Sequence, residues 1–340
     1  MSTTFLIRWL QPAALLAVLS AVAAGTKPEV KLLNVSYDVT REFYADVNPA
    51  FAGEWKSKTG ESVVISQSHG GSSKQARAVL DGLEADVVTM NQPLDIEILQ
   101  SRGHLIPTNW ASRLPGGSVP YHSTILFVVR PGNPKQIRDW SDLIRPGVSV
   151  VIPNPKTSGN GRYSYLGAWG YAVKQSGGDE VKARDFLARL FANVPVLDAG
   201  GRAATTTFVQ HQVGDVLLTF ENEAFLIAKD SGNPRLEIVV PSASIRADNP
   251  VVWVDANVAR HGTEEAARAY LEFLFTDAGQ ELAARHGFRP REAAVLARHG
   301  DQFKPVPLFS VEEIAGSWDQ AQHKHFDDGG LFDQLYQPRK

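Results

Sequence analysis

The chain has 340 residues, 43% of them hydrophobic and 21% charged, which excludes collagen-like, low-complexity and disordered classes. A formal charge of -3 leaves no basic excess to neutralise phosphates and argues against nucleic acid as a partner. The absence of cysteine rules out disulfides, thiolate metal sites, cysteine nucleophiles and a lipid-anchoring cysteine.

Residues 1–24 carry one charge, Arg8, then an apolar run broken only by Gln11, Pro12 and Ser20, and they end on Ala21, Ala23 and Ala24. Small residues before a cut after Ala23 or Ala24 give the layout of a cleaved secretory signal. The apolar core is about 13 residues, short of the ~18–20 that span a bilayer. Export of the mature chain is the expectation.

From Lys31 onward, β-branched runs alternate with amphipathic stretches. In chain order, strands are predicted at 31–37, 63–68, 86–90, 125–130, 148–153, 216–220, 237–241 and 251–255. Helices are predicted at 74–83, 163–175, 181–191 and 264–275. Pro49 lies within the first helical pattern and is expected to kink or divide it. Strand–helix alternation argues for α/β sheets with right-handed crossovers. Gly and Pro cluster at 114–120, 130–134, 232–234 and 247–250. The neighbouring strands 125–130 and 237–241 are therefore expected to cross between two lobes. That division places 25–124 and 247–340 in the first lobe and 125–246 in the second.

Four times a strand ends in a small polar turn that opens a helix: at 36–42 (SYDVTRE), 68–75 (SHGGSSKQ), 154–162 (NPKTSGNGR) and 198–207 (DAGGRAATTT). Each turn would present free backbone N–H groups at a positive helix end, where glycine lets a bound anion approach and hydroxyls add donors. Any one alone is an ordinary helix cap. Four of them, two in each expected lobe and all at C-terminal strand ends, point to a ligand site. Hydrogenphosphate carries a proton and wants an acceptor, whereas sulfate and thiosulfate carry none. The last three turns hold Asp198 as their one carboxylate. The balance favours a fully ionised oxyanion.

The segments 34–42 (NVSYDVTRE), 68–75 (SHGGSSKQ), 153–162 (PNPKTSGNGR), 166–171 (LGAWGY), 198–208 (DAGGRAATTTF) and 214–224 (GDVLLTFENEA) resemble the periplasmic sulfate- and thiosulfate-binding proteins of ABC importers. The resemblance runs from about Val30 to Tyr336. It implies an α/β type II periplasmic-binding-protein fold of two lobes, with a ligand cleft and hinge between them. It also implies a periplasmic monomer that needs no cofactor or metal and delivers its anion to permease subunits with an associated ATPase. The contacts it carries over are Asp38, Gly159, Asn160 and Gly201 through N–H, Ser158 through its hydroxyl, and Ser72 through both. Two departures from the sulfate pattern, Phe220 in place of a donating Trp and Asn160 in place of Gly, resemble the thiosulfate branch, as do 86–92 (DVVTMNQ) and 105–107 (LIP). An apolar ring at Phe220 suits the soft terminal sulfur of thiosulfate.

Alternative ligands are molybdate or phosphate. A Ser-dependent hydrolase built on Ser68, His69 or Ser72 is the enzymatic rival. It is disfavoured because adjacent residues rarely give Ser–His geometry and no G-x-S-x-G elbow is present. Nor is there a Walker A run or an H-E-x-x-H helix. His323 and His325, the one close histidine pair, are expected at the surface, and Trp169, Trp253 and Trp318 in lobe cores or interfaces.

Overall fold

A computed structural model describes residues 29–230 and 235–336. The expected signal segment and the 232–234 turn lie outside the described residues. The strands form two sheets. In the first, β1 (Val30–Tyr37) runs parallel to β2 (Val63–Gly70), in register from Val30 against Val63 to Tyr37 against Gly70. On its other side β1 pairs in parallel with β3 (Val87–Thr89).

The second sheet is built on β4 (Tyr121–Val129), which runs antiparallel to β7 (Val216–Phe220), β8 (Glu237–Val239) and β9 (Ser244–Asp248). β5 (Val150–Pro153) runs parallel to both β6 (Leu197–Asp198) and β7. β10 (Val251–Trp253) returns to the first sheet, antiparallel to β3, giving the order β10-β3-β1-β2. β11 (Arg289–Pro290) pairs with β4, and β12 (Leu308–Phe309) runs parallel to β9.

Both sheets are covered on both faces, because successive strand residues enter different apolar clusters. Val87 and Val88 do so in the first sheet, Val150 and Val151 and then Leu217 and Leu218 in the second. This is why the parallel strands read as continuous apolar runs and do not alternate. The result is a mixed α/β chain in two layered units, the two-lobed type II arrangement.

Several sequence expectations are corrected. The helix Arg41–Thr59 is not divided at Pro49. Phe43, Tyr44, Val47, Phe51 and Trp55 bury one continuous face, with Phe51 edge-on to Tyr270 at 5.1 Å. Their burial outweighs the ~3 kcal/mol that an interior proline costs. The segment leading directly from the second sheet to the first is β9, unforeseen in the sequence, through Asn249 and Pro250 into β10. Strand 237–239 instead stays beside β4 in the second sheet.

His325 is buried, not at the surface. Its Nδ1 lies 3.0 Å from the Tyr165 hydroxyl and its ring 4.8 Å from Trp169. Burial lowers its pKa to about 3, so it is neutral at physiological pH. His323 is exposed and pairs with Asp319 and Asp327.

Candidate functional site

The four polar turns close into a ring. The first meets the second where the Gln75 amide donates to the Ser36 carbonyl at 3.2 Å and His69 Nδ1 approaches the Tyr37 carbonyl at 3.3 Å. The second meets the third so tightly that a Cβ on Gly71 would stand 3.0 Å from the Thr157 carbonyl oxygen. The third meets the fourth through the Asn154 N–H, which donates to the Asp198 carbonyl at 2.7 Å, and the Thr157 hydroxyl, which donates to Ala199 at 3.0 Å. The fourth returns to the first where the Arg202 N–H donates to Asp38 Oδ2 at 3.4 Å. Turns from the two sheets thus touch, through backbone at Gly71 and Thr157 and through the Asp38 carboxylate at Arg202, a closed arrangement.

Each turn starts a helical segment. Asp38 opens a short 3-10 turn before the 41–59 helix; Ser72, Gly159 and Gly201 are first residues of the helices Ser72–Leu80, Gly159–Gln175 and Gly201–Val209. The opening N–H groups of a helix have no carbonyl partner within it, and they carry its positive end. A Cβ on Gly201 would stand 3.1 Å from Asn160 Nδ2 and 3.4 Å from Val39, so a side chain fits there only if these neighbours give way. Ser158 caps the 159–175 helix by accepting from the Gly161 N–H at 3.4 Å. Its hydroxyl proton therefore stays free to donate.

Ser72 differs from expectation. Its hydroxyl donates to Asp95 Oδ2 at 2.5 Å and accepts from the Asn91 N–H at 3.4 Å. In this state Ser72 offers only its N–H to a ligand. The Asn160 amide donates to the Thr219 hydroxyl at 3.0 Å and accepts from Ser164, which orients its own backbone in the first turn. Phe220 is buried, its ring edge-on to Tyr37 at 6.3 Å and Tyr163 at 5.7 Å.

Behind the ring lies a charged network. Arg202 forks onto Glu42 at 3.1 and 2.7 Å, while its Nε stands 3.0 Å from the buried Glu223, out of line for a hydrogen bond. Burial pushes Glu223 up to about 7 against the pull of Arg202 and Thr205, with the carboxylates of Asp38 and Glu42 adding to the rise. Burial also raises the Asp38 carboxyl, opposed by the N–H and charge of Arg202. The Asp38 carboxylate is thus turned to Arg202, leaving its backbone for a ligand. Arg162 donates to the Pro155 carbonyl at 3.0 Å and stands over the Phe326 ring at 5.2 Å. It braces the third turn against the C-terminal segment.

The sequence reading missed Asn91, Gln92, Asp95 and Glu223, all buried beside the ring. Asn91 and Gln92 fall within the 86–92 segment that carried the resemblance, but their place was not apparent. The hydrolase partners do not assemble: Ser68 accepts from Gln75 at 2.9 Å, Ser72 bonds Asp95, and His69 faces the Tyr37 carbonyl. A groove of about 470 Å³ opens beside the ring, lined by Glu42, Asn222, Lys229, Arg285 and His286. Ser72, Ser158, Gly159 and Gly201 are not among its lining residues, so it is distinct from the ring. Among the described residues, no group of three or more His, Asp or Glu is placed to hold a metal ion. No helix among them is long and apolar enough to cross a membrane.

Comparison with known proteins gives the family and the fold. The model of the bacterial extracellular solute-binding protein family matches residues 33–289. A thiosulfate-binding protein of Pseudomonas aeruginosa is 55% identical over 326 residues, covering 96% of this chain and 98% of the relative. A sulfate-binding protein of Escherichia coli is 51% identical over 320 residues, covering 94% and 97%. Among solved structures, the sulfate-binding protein SubI of Mycobacterium tuberculosis superposes with a TM-score of 0.79 at 33% identity, over 88% of this chain and 100% of that one. A two-sheet α/β chain with a ring of helix starts, matched along nearly its whole length, belongs to the bacterial extracellular solute-binding protein family.

Proposed function

We propose that this chain captures thiosulfate or sulfate in the periplasm and delivers it to an ABC importer, and that it catalyses no reaction. The observation that supports the reading is the meeting of four helix starts, two from each sheet, whose free donors are neutral. Asp38, Ser72, Gly159, Asn160 and Gly201 would give N–H groups and Ser158 its hydroxyl.

The anion docks on one open lobe, and closure completes its shell. The closed state is favoured by the contacts that only it makes. Water is excluded there, so each missing donor would cost about 1–3 kcal/mol or more against a charged ligand. Of the carboxylates near the ring, Asp95 Oδ2 accepts from Ser72 and Gln92, Asp198 Oδ1 from Thr207 at 3.0 Å and Asp38 Oδ2 from the Arg202 N–H. The groups assigned to the anion are N–H groups and one hydroxyl, which suit a fully ionised oxyanion better than a protonated one. Phe220 cannot donate, and its apolar ring favours thiosulfate over sulfate.

Calorimetric titration of the mature protein, stripped of bound anion, tests the reading at neutral pH. Thiosulfate and sulfate should bind tightly, thiosulfate the more so, with no heat from phosphate. Phosphate binding as tight as either would overturn the donor-only site. Heat from none of the three would reject the assigned ligand class.

A further inference from the structure

The side chain of Asn91 has no role in the account above. Asn91 follows β3 at the C-terminal strand ends of the first sheet and is 3% exposed. Its backbone N–H donates to Ser72 Oγ, so it is fixed beside the second turn. Its carboxamide reaches the third turn: a Cβ on Gly159 would stand 2.0 Å from Asn91 Oδ1 and 2.6 Å from Nδ2. The amide therefore lies against the bare first residue of the 159–175 helix, one of the groups assigned to the anion. Yet Oδ1 is buried without a partner.

Its polar neighbours already have other bonds. The Gln92 amide donates to Ser73 and Asp95, Ser72 donates to Asp95, and Asn160 donates to Thr219. A buried amide oxygen with no donor, where two lobes' anion donors meet, calls for a physical reason. An anion cannot supply it to Oδ1, because both are acceptors. It can supply it to the other end of the same group. A half-turn about the last torsion, which is broad and two-fold, exchanges oxygen for nitrogen in the same space.

We propose that Asn91 is a further anion-contacting residue, whose Nδ2–H donates to the fully ionised oxyanion in the loaded cleft. This rests on the ligand class proposed above. The amide is neutral and adds a donor from the first lobe, opposite Gly159 and Asn160 of the second. Gly159 is bare because the amide needs its place when the lobes meet.

The test is titration of wild type, Asn91→Asp and Asn91→Ala with thiosulfate and with sulfate between pH 4.5 and 7.5. At pH 7.5 the Asp variant should bind at least about 100-fold more weakly, because a carboxylate replaces the donor with an acceptor of like charge. Its affinity should recover as the pH falls and that carboxyl protonates, while wild type changes by no more than a few-fold. The Ala variant, which adds no charge, should lose about 10-fold. It guards against an Asp variant that does not fold. Wild-type affinity in either folded variant overturns the inference and leaves the proposed function standing. Equal weakening in both with no recovery at low pH marks a packing role and also overturns it. Failure of wild type to bind either anion removes the ligand class, and this inference with it.

Discussion

Glu223 shows how one side chain ties the ring to solution conditions. It is 1% exposed, accepts from Thr205 at 2.9 Å and has Arg202 as its nearest cation. Its pKa stands at about 7 against an ordinary 4.5, chiefly through burial. An acid whose folded pKa is raised binds its proton more tightly folded than unfolded. It therefore contributes stability that is full below pH 4.5 and is lost as the pH rises through about 7. The whole effect is at most about 3 kcal/mol, the rise from 4.5 to about 7 converted at about 1.4 kcal/mol for each pH unit. Buried His122 and His325, held neutral when folded, push the other way over part of that window. Comparison with Glu223→Gln cancels their share. Wild type should lose several degrees of melting temperature relative to that variant between pH 5 and 7.5. Parallel melting curves would refute the assignment. None of this could be read from the sequence, where Glu223 is one acid in a helix start. The turns holding Ser158 and Gly201 could be read, because backbone donors need only a strand end, small residues and a helix.

At the scale of elements, the glycines of the 159–175 helix explain why LGAWGY is written as it is. A Cβ on Gly170 would fall 2.2 Å from the Phe309 ring, and one on Gly167 2.9 Å from Trp140. These glycines let the helix lie close against β12 and the 140–144 turn. Gly53, exposed in the 41–59 helix, has nothing within 4 Å of its Cβ position. Gly53→Ala should therefore stabilise by about 0.5–1 kcal/mol through helix propensity. Gly170→Ala should destabilise by about 1–3 kcal/mol despite the same propensity gain, because Phe309 must move. Denaturant titration of both variants checks the pair; equal signs would refute the packing argument. Phe309 also shows where pattern reading stops. β6, β11 and β12 are two residues long, too short for any periodicity. β9 carries Arg246 and Asp248 beside Pro250 and reads as a turn until its pairing with β4 is seen. The longer strands were apparent because burial on both faces leaves unbroken β-branched runs.

One contact between the two units can be removed cleanly. Glu42 opens the 41–59 helix against the first sheet, whereas Arg202 lies in the first turn of the 201–209 helix on the second. Their fork at 3.1 and 2.7 Å exists only while the two units touch. Burial alone would raise the Glu42 carboxyl, but the hydrogen bonds and charge of Arg202 outweigh it and hold the pKa below its usual value. The Glu42 side chain is 43% exposed, so screening limits the pair to about 1 kcal/mol. Glu42→Gln leaves Arg202 paired with Glu223 within its own unit, and the open form loses nothing. The loss therefore falls on the closed state, and with it on ligand affinity, by roughly 5-fold. Docking on one open lobe precedes closure, so the association rate should hold while dissociation quickens by that factor. Stopped-flow exchange at low salt reads both rates. Raising the salt should shrink the difference between variant and wild type, since a half-exposed pair is screened. A slower association with unchanged dissociation would place Glu42 in the approach of the anion and not in closure.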